Sequence, residues 1–448
     1  MSCAALLAAE GTARAGNQDS FFYSDDAAMT AGAVTATTRD AGAIWYNPAG
    51  LGGISRGQVD LSGTTFAVRF RPVSGALATT YSGGHQSTDL NASDFFSAPH
   101  ALTIIRAIGP TVAVGFGLYV TLRDVRTAES ELEFDGNSGG AAPVPIHFQQ
   151  RMDLTIDQTR YHAGPGIGWQ IAPSFRIGAS LFGTYGKTNG FAQYAIHGND
   201  PSTTPSTTDA FILAETRAAF TYIGAQAQVG AQWDPTPDWH IGLLVRSPEL
   251  LFSASARGAN VLTFASIAPG EAAQASFVLQ HPEAAFPAFT VVAPMRVVAG
   301  IARAAGDRTW ISAEADYAPP VSNQGIELQP TVNARLGARV RASDKLSVGA
   351  GVFTDRATER NVGTSLGEER VDYYGGTAGL EYRTPLSLST NTSPDALVLS
   401  TTVALRYAIG LGDARAANID LTSTNTPDRT VSVVYHEIVP YIGSGILF

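Results

Sequence analysis

Beyond residue 57 apolar residues alternate with small or polar ones in short segments, and clusters of Gly, Pro, Asn and Asp separate them. A period of two between such breaks predicts one β-strand after another. In Val112-Ala113-Val114-Gly115-Phe116-Gly117-Leu118-Tyr119-Val120, one face carries Val112, Val114, Phe116, Leu118 and Val120. Small residues and Tyr119 take the other. Segments 164–171 and 175–182 meet through Ala172-Pro173-Ser174, and segments 336–340 and 346–353 through Ala342-Ser343-Asp344-Lys345. Long polar stretches at 82–98, 124–144, 189–209, 354–369 and 414–428 read as outer loops. Tight turns at one end and long loops at the other are the asymmetry of a porin-like barrel, although a soluble β-sandwich shares the alternation.

The first fifty-odd residues follow no such pattern. Residues 16–57 contain Phe21-Phe22-Tyr23, the pair Asp25-Asp26 and an Ala-rich run at 27–36 that predicts one or two short helices. Asn47-Pro48-Ala49-Gly50 then makes a turn among Ile44, Trp45, Tyr46 and Leu51. With few large apolar residues, this head needs a wall to pack against. The expected fold is all-β: a transmembrane antiparallel barrel of about 14 strands, with the head as a hatch inside its lumen. Residues 1–15 read as the remnant of a signal peptide, 16–57 as the hatch and 58–448 as the barrel. Ala4-Ala5-Leu6-Leu7-Ala8-Ala9 resembles the end of an apolar signal core, and Ala13-Arg14-Ala15 offers small residues for cleavage. The missing basic front end suggests a mis-assigned start codon.

Composition narrows the function. Only 15% of residues are charged, yet no apolar run approaches the roughly 18 residues of a membrane helix. The net charge is −10 and the basic residues are nearly all Arg, with Lys187 and Lys345 the only lysines. No clustered basic face for nucleic acid is visible. The single cysteine, Cys3, forms no internal disulfide and no thiol metal site. The eight histidines lack metal spacing, and no phosphate-cradling loop occurs. Gly53-Ile54-Ser55-Arg56-Gly57 matches the pattern of a nucleophile elbow, but a turn precedes the serine and a strand follows it. Asp135-Gly136-Asn137-Ser138-Gly139 lacks the full ligand series of a calcium loop. No catalytic residue, cofactor or metal is expected.

The chain ends on Phe448, with Ile438, Ile442 and Ile446 on the same face of the last segment. A closing strand that finishes in Phe resembles the signal read by the barrel-assembly machinery of outer membranes. Together with the turn at Asn47-Pro48-Ala49 and the segments at 28–51, 163–185, 239–248, 294–317 and 335–353, this chain resembles the FadL family of outer-membrane transporters. The resemblance implies passive transport of long-chain fatty acids or other hydrophobic compounds by a monomer in the outer membrane of a Gram-negative bacterium. It implies that Asn47, Pro48, Ala49 and Gly50 shape the hatch, and that Phe21, Phe22 and Tyr23 contact ligand or pack against the wall. A FadL-like scaffold for secretion or surface assembly is the alternative.

Overall fold

The computed structural model describes residues 21–81, 84–137, 145–201, 209–267, 274–280, 283–284, 287–323, 326–362, 368–386, 397–420 and 429–448. The signal remnant, the first five hatch residues, and Ser138 and Gly139 of the weak calcium motif lie outside them. The wall opens with six long strands: β1 (Gln58–Tyr81), β2 (Gly84–Ala107), β3 (Val112–Asn137), β4 (Pro145–Ala172), β5 (Phe175–Asn199) and β6 (Asp209–Thr236). Then come β7 (Trp239–Arg246), β8 (Glu249–Ile267), β9 (Gln274–Gln280), β10 (Glu283–Ala284), β11 (Thr290–Ala293), β12 (Arg296–Ala305) and β13 (Thr309–Ala318). A small hairpin, β14 (Val321–Asn323) and β15 (Ile326–Leu328), stands apart from the main sheet. β16 (Thr331–Arg341), β17 (Leu346–Asp355), β18 (Glu369–Leu386), β19 (Leu397–Asp420) and β20 (Arg429–Leu447) complete the wall.

Antiparallel pairing carries the wall around the barrel, with β7 and β8 sharing β6 and facing β12 and β11 on their other side, and it closes where β20 meets β1, with Leu447 opposite Gln58. The closed barrel has 15 strands, against the 14 or so expected. The wall breaks at Ser247-Pro248: β7 and β8 follow one another and both pair with β6. Proline has no N–H to donate to a ladder, so the strand ends there. Pro294 interrupts the neighbouring segment between β11 and β12 in the same way.

Phe116 and Leu118 face outward at 51% and 41% exposure, while Ala113 and Tyr119 are buried inside. Val120 pairs with the outward-facing Tyr161 and so keeps the expected face, although it is buried, and a register shift follows it before Leu122. Trp169, Phe175, Trp233, Trp239 and Tyr382 form one exposed aromatic girdle near the short turns, and Tyr161, Tyr185, Tyr374 and Tyr407 a second. From Phe175 to Tyr185, at about 3.3 Å per residue and a tilt of about 40°, the rise is about 25 Å, the apolar height a bilayer core requires.

The expected outer loops are largely strand. Residues 84–98, 124–137, 189–199 and 414–420 continue β2, β3, β5 and β19. Strands of 24 to 28 residues from β1 to β6 thus stand well above the upper girdle. Their polar outer parts turn one face to water, while the inner face packs a second buried cluster that includes Leu77, Met152, Leu154 and Tyr435. Among the described residues, 354–369 is mostly a connection as expected.

The head forms α1 (Asp25–Met29), α2 (Ala43–Tyr46) and a 3-10 turn at Pro48–Gly53. Ser24 caps α1, its Oγ accepting from Ala27 N at 3.3 Å. The expected helix across 27–36 stops after Met29, because Ala31 (φ 55°) and Gly32 (φ 79°) reverse the chain. Thr377 Oγ1 secures the reversal by accepting from Ala31 N and donating to Met29 O. α1 packs against β17, β18 and β19, and the 3-10 turn against β3, β4, β5 and β6, so the head lies inside the lumen.

Candidate functional site

The three leading aromatics of the hatch seat themselves on the inner wall. Phe21 stacks on His100 with ring centroids 3.8 Å apart, and Phe22 meets Phe353 edge-on at 6.1 Å. Tyr23 packs edge-on against Tyr119 at 5.3 Å and Trp45 at 5.2 Å, and its hydroxyl donates to the Val120 carbonyl at 3.3 Å. Phe182 and His162 close the cluster around Trp45. The space left beside Phe21, Phe22 and Trp45 is a cavity of about 30 Å3. That holds a water molecule, not an apolar ligand.

This cluster lies beside a discontinuity in the wall. β2 and β3 pair from Ala101–Tyr119 toward the short turns, and again at Ala92–Ala128 and Asn91–Glu129. Between those points, over residues 93–100 and 120–127, they form no ladder pairs with each other. Backbone groups left by a ladder need other partners. Arg69 supplies one, its guanidinium donating to the Arg123 carbonyl at 3.0 Å.

The outer end of the discontinuity is ionic. Arg69 bridges Glu437 and reaches Asp124 at 3.1 Å, while Arg71 reaches Asp124 at 2.9 Å. Arg126 meets Glu369 at 2.6 Å, and Arg406 also holds Glu437. These buried pairs make a polar collar in the lumen, and the end of the discontinuity next to Phe21 and Tyr23 is apolar.

Asn47 ties the hatch to the opposite wall. Its Nδ2 donates to Thr35 O at 2.8 Å and to Ala231 O on β6 at 3.1 Å, while its Oδ1 accepts from Ala49 N at 3.1 Å. Pro48 begins the 3-10 turn, as a residue without an orphan N–H suits. The Gly50 backbone lies so close to Thr38 O that a Cβ there would stand 2.0 Å from it, and Ala49 is fully buried. The structure thus brings the four turn residues together against the wall and places Phe21 and Tyr23 elsewhere, beside the discontinuity, with Phe22 against Phe353 on β17.

Sequence reasoning missed the wall's side of this contact. Gln228 Nε2 donates to the Ile44 and Trp45 carbonyls, and Gln232 Nε2 to those of Thr35 and Thr38. Arg246 donates to Trp45 O at 2.9 Å and lays its guanidinium 4.2 Å from the indole. Glu314 accepts from Thr35 N at 3.0 Å. The signal for β6 was present: Gln226, Gln228 and Gln232 share one strand face, where side chains of a purely apolar lining are expected to be small or greasy. Glycines admit the hatch backbone. A Cβ on Gly178 would come 2.3 Å from Pro48 C and O, and one on Gly230 2.0 Å from Asn47 Oδ1.

In the hatch, burial raises the Asp25 carboxyl to about 6, with Glu381 adding to it. Enclosure likewise raises Asp40 to about 7, and Asp26 and Asp25 reinforce the shift. Asp40 Oδ1 accepts from Gly42 N and Thr38 Oγ1, both at 3.0 Å.

The remaining sequence candidates sit apart. Phe448 N donates to Gly57 O at 2.9 Å, its ring half exposed where the barrel closes. No helix follows Ser55, so the elbow pattern is unsupported, and Asp135 accepts from or pairs with His147 at 2.8 Å. Among the described residues no group of three or more His, Cys, Asp or Glu is arranged to hold a metal ion.

No protein-family model and no curated protein matches the sequence. Solved structures do match in fold. A Pseudomonas aeruginosa FadL homologue aligns with 14% identity over 96% of this chain and 99% of its own, at a TM-score of 0.59. The P. putida toluene transporter TodX aligns with 13% identity over 95% and 98%, at 0.57. The monoaromatic hydrocarbon channel CymD gives 14% identity over 95% and 97%, at 0.52. With its closed barrel and inserted N-terminal hatch, the chain has the fold of FadL-type channels.

Proposed function

We propose that the protein carries apolar small molecules, either long-chain fatty acids or hydrocarbons, passively across the outer membrane of a Gram-negative bacterium. Residues 16–57 are its gate. The observation that carries this reading is Phe21 stacked on His100 beside the β2–β3 discontinuity. The ionic collar disfavours apolar molecules on the axis. The aromatic end of the discontinuity favours them and opens toward the exposed apolar band, so displacing Phe21 and Tyr23 frees a sideways path. The occupied site suits a ligand that replaces those rings, because apolar burial at about 25 cal/mol per Å2 binds a small molecule enough to capture it and still release it. The fold shared with a toluene transporter and a monoaromatic hydrocarbon channel supports the same ligand class.

In this reading Asn47, Pro48, Ala49 and Gly50 anchor the gate, while Phe21, Phe22 and Tyr23 hold the place of ligand. Phe448 is the terminal residue read by the assembly machinery, residues 1–15 are the remnant of a secretory signal, and one copy suffices. Uptake of labelled oleate and toluene by cells with and without the barrel tests it. Faster entry of at least one compound is expected, and equal entry of both would defeat the transport reading.

A further inference from the structure

We infer that a second cavity, of about 190 Å3, between the hatch and wall strands β7, β13 and β16, is a binding site for a neutral single-ring aromatic molecule bearing a hydroxyl. It lies nearer the short turns than Phe21 does, and it goes beyond the proposed gate: a barrel that passes no hydrocarbon would still bind there.

Size is the first reason. An engineered apolar cavity of about 150 Å3 holds benzene, so this volume accommodates one substituted ring but not an extended fatty chain. The lining is the second. Ala33, Val34, Thr30 and Thr37 come from the hatch, and His240 and Trp310 from the wall, with those two rings 5.0 Å apart at 42°. Thr30 Oγ1 already donates to Asp26 O, so a ligand gains little from that hydroxyl.

Charge argues for a neutral ligand. Arg39 meets Asp234 at 2.9 Å, and Arg339 is bridged by Asp26 and Glu381. An anion would have to break these pairs to gain a partner, whereas a ring can rest against a guanidinium without disturbing it.

His240 supplies the polar preference. Its Nδ1 lies 2.6 Å from Asp234 Oδ1, and an ionised carboxylate only accepts, so Nδ1 carries the proton. In the neutral imidazole Nε2 is then an acceptor, and in this buried ring it has no hydrogen-bond partner. A ligand hydroxyl supplies the missing donor.

The test uses 19F NMR titration of the full chain in lipid nanodiscs, with 4-fluorophenol and fluorobenzene as probes. Both are expected to bind the wild type, the phenol at least about fivefold more tightly. Ala33→Phe on the hatch and Ser312→Phe on the wall each fill the cavity, and each should weaken 4-fluorophenol at least tenfold. Heat-modifiable gel mobility identifies a variant that fails to fold, and the other variant then decides. His240→Phe should abolish the preference for phenol over fluorobenzene while keeping ring binding. Undiminished binding in a folded cavity-filled variant overturns the site, and an unchanged phenol preference in His240→Phe overturns its recognition by His240.

Discussion

Asn47 Nδ2 and the Ala231 carbonyl of β6 stand 3.1 Å apart, joining the hatch turn directly to the barrel wall. The same amide holds Thr35 O, and its oxygen caps the following turn, so one buried side chain fixes two hatch segments and one strand. Replacing it leaves several buried backbone groups short of partners, at about 1–3 kcal/mol each in the worst case. Asn47→Ala should therefore loosen the hatch by about 2 kcal/mol or more without preventing barrel assembly. Hydrogen exchange at residues 43–53 should accelerate at least tenfold, while the heat-modifiable gel shift stays normal. Pro48→Ala should do the same more weakly, since it removes backbone restriction and no hydrogen bond.

Gly178 should be intolerant of a methyl group. Its Cβ would meet Pro48 backbone atoms that cannot swing aside, whereas a Cβ on Gly190, farther along the same strand, meets nothing within 4 Å. Gly178→Ala is expected to unseat the 3-10 turn at a cost of about 1–3 kcal/mol, and Gly190→Ala to leave exchange unchanged. Equal exchange in the two variants would show that the hatch does not bear on this row.

Acid should tighten the gate. Asp25 and Asp40 both titrate above the ordinary carboxylate value of 3.8 in the docked hatch, near 6 and 7. The docked state thus binds more protons than an undocked one in that window, so its stability is greatest below it and falls as pH rises through about 6 and then 7. Flux through proteoliposomes should be lower at about pH 5 than at about pH 8. Asp40→Asn, which cannot ionise, should flatten most of the upper part of this profile. A wild-type profile that is flat or rises toward acid would contradict the assignment.

Much of the barrel was legible in the residues, and the reasons are local. Phe116 and Leu118 alternate with Ala113 and Tyr119 because one side meets lipid and the other a packed lumen. The hatch was legible by default: Phe21 to Leu51 contains too little apolar volume to fold alone. The long outer strands were not legible, since residues 124–137 leave the apolar band and are held by contacts distant in sequence, such as Arg126 with Glu369 and Phe134 stacked on Tyr81 and Phe148. The docking surface was hidden for a different reason. Gly178 and Gly230 read in sequence as strand-weakening residues, and only three-dimensional pairing reveals them as the floor on which Pro48 and Asn47 rest. The β2–β3 discontinuity has one sequence mark, Pro99, which lacks an N–H to donate to a ladder, but nothing in the sequence gives its length.

The central claim is that Phe21 must leave His100 for an apolar molecule to pass. Phe21→Cys with His100→Cys, joined by a short reducible thiol cross-linker, tests it in proteoliposomes loaded to report toluene or oleate entry. Cross-linking is expected to cut flux at least tenfold and reduction to restore it; undiminished flux through the fully cross-linked barrel would contradict the account.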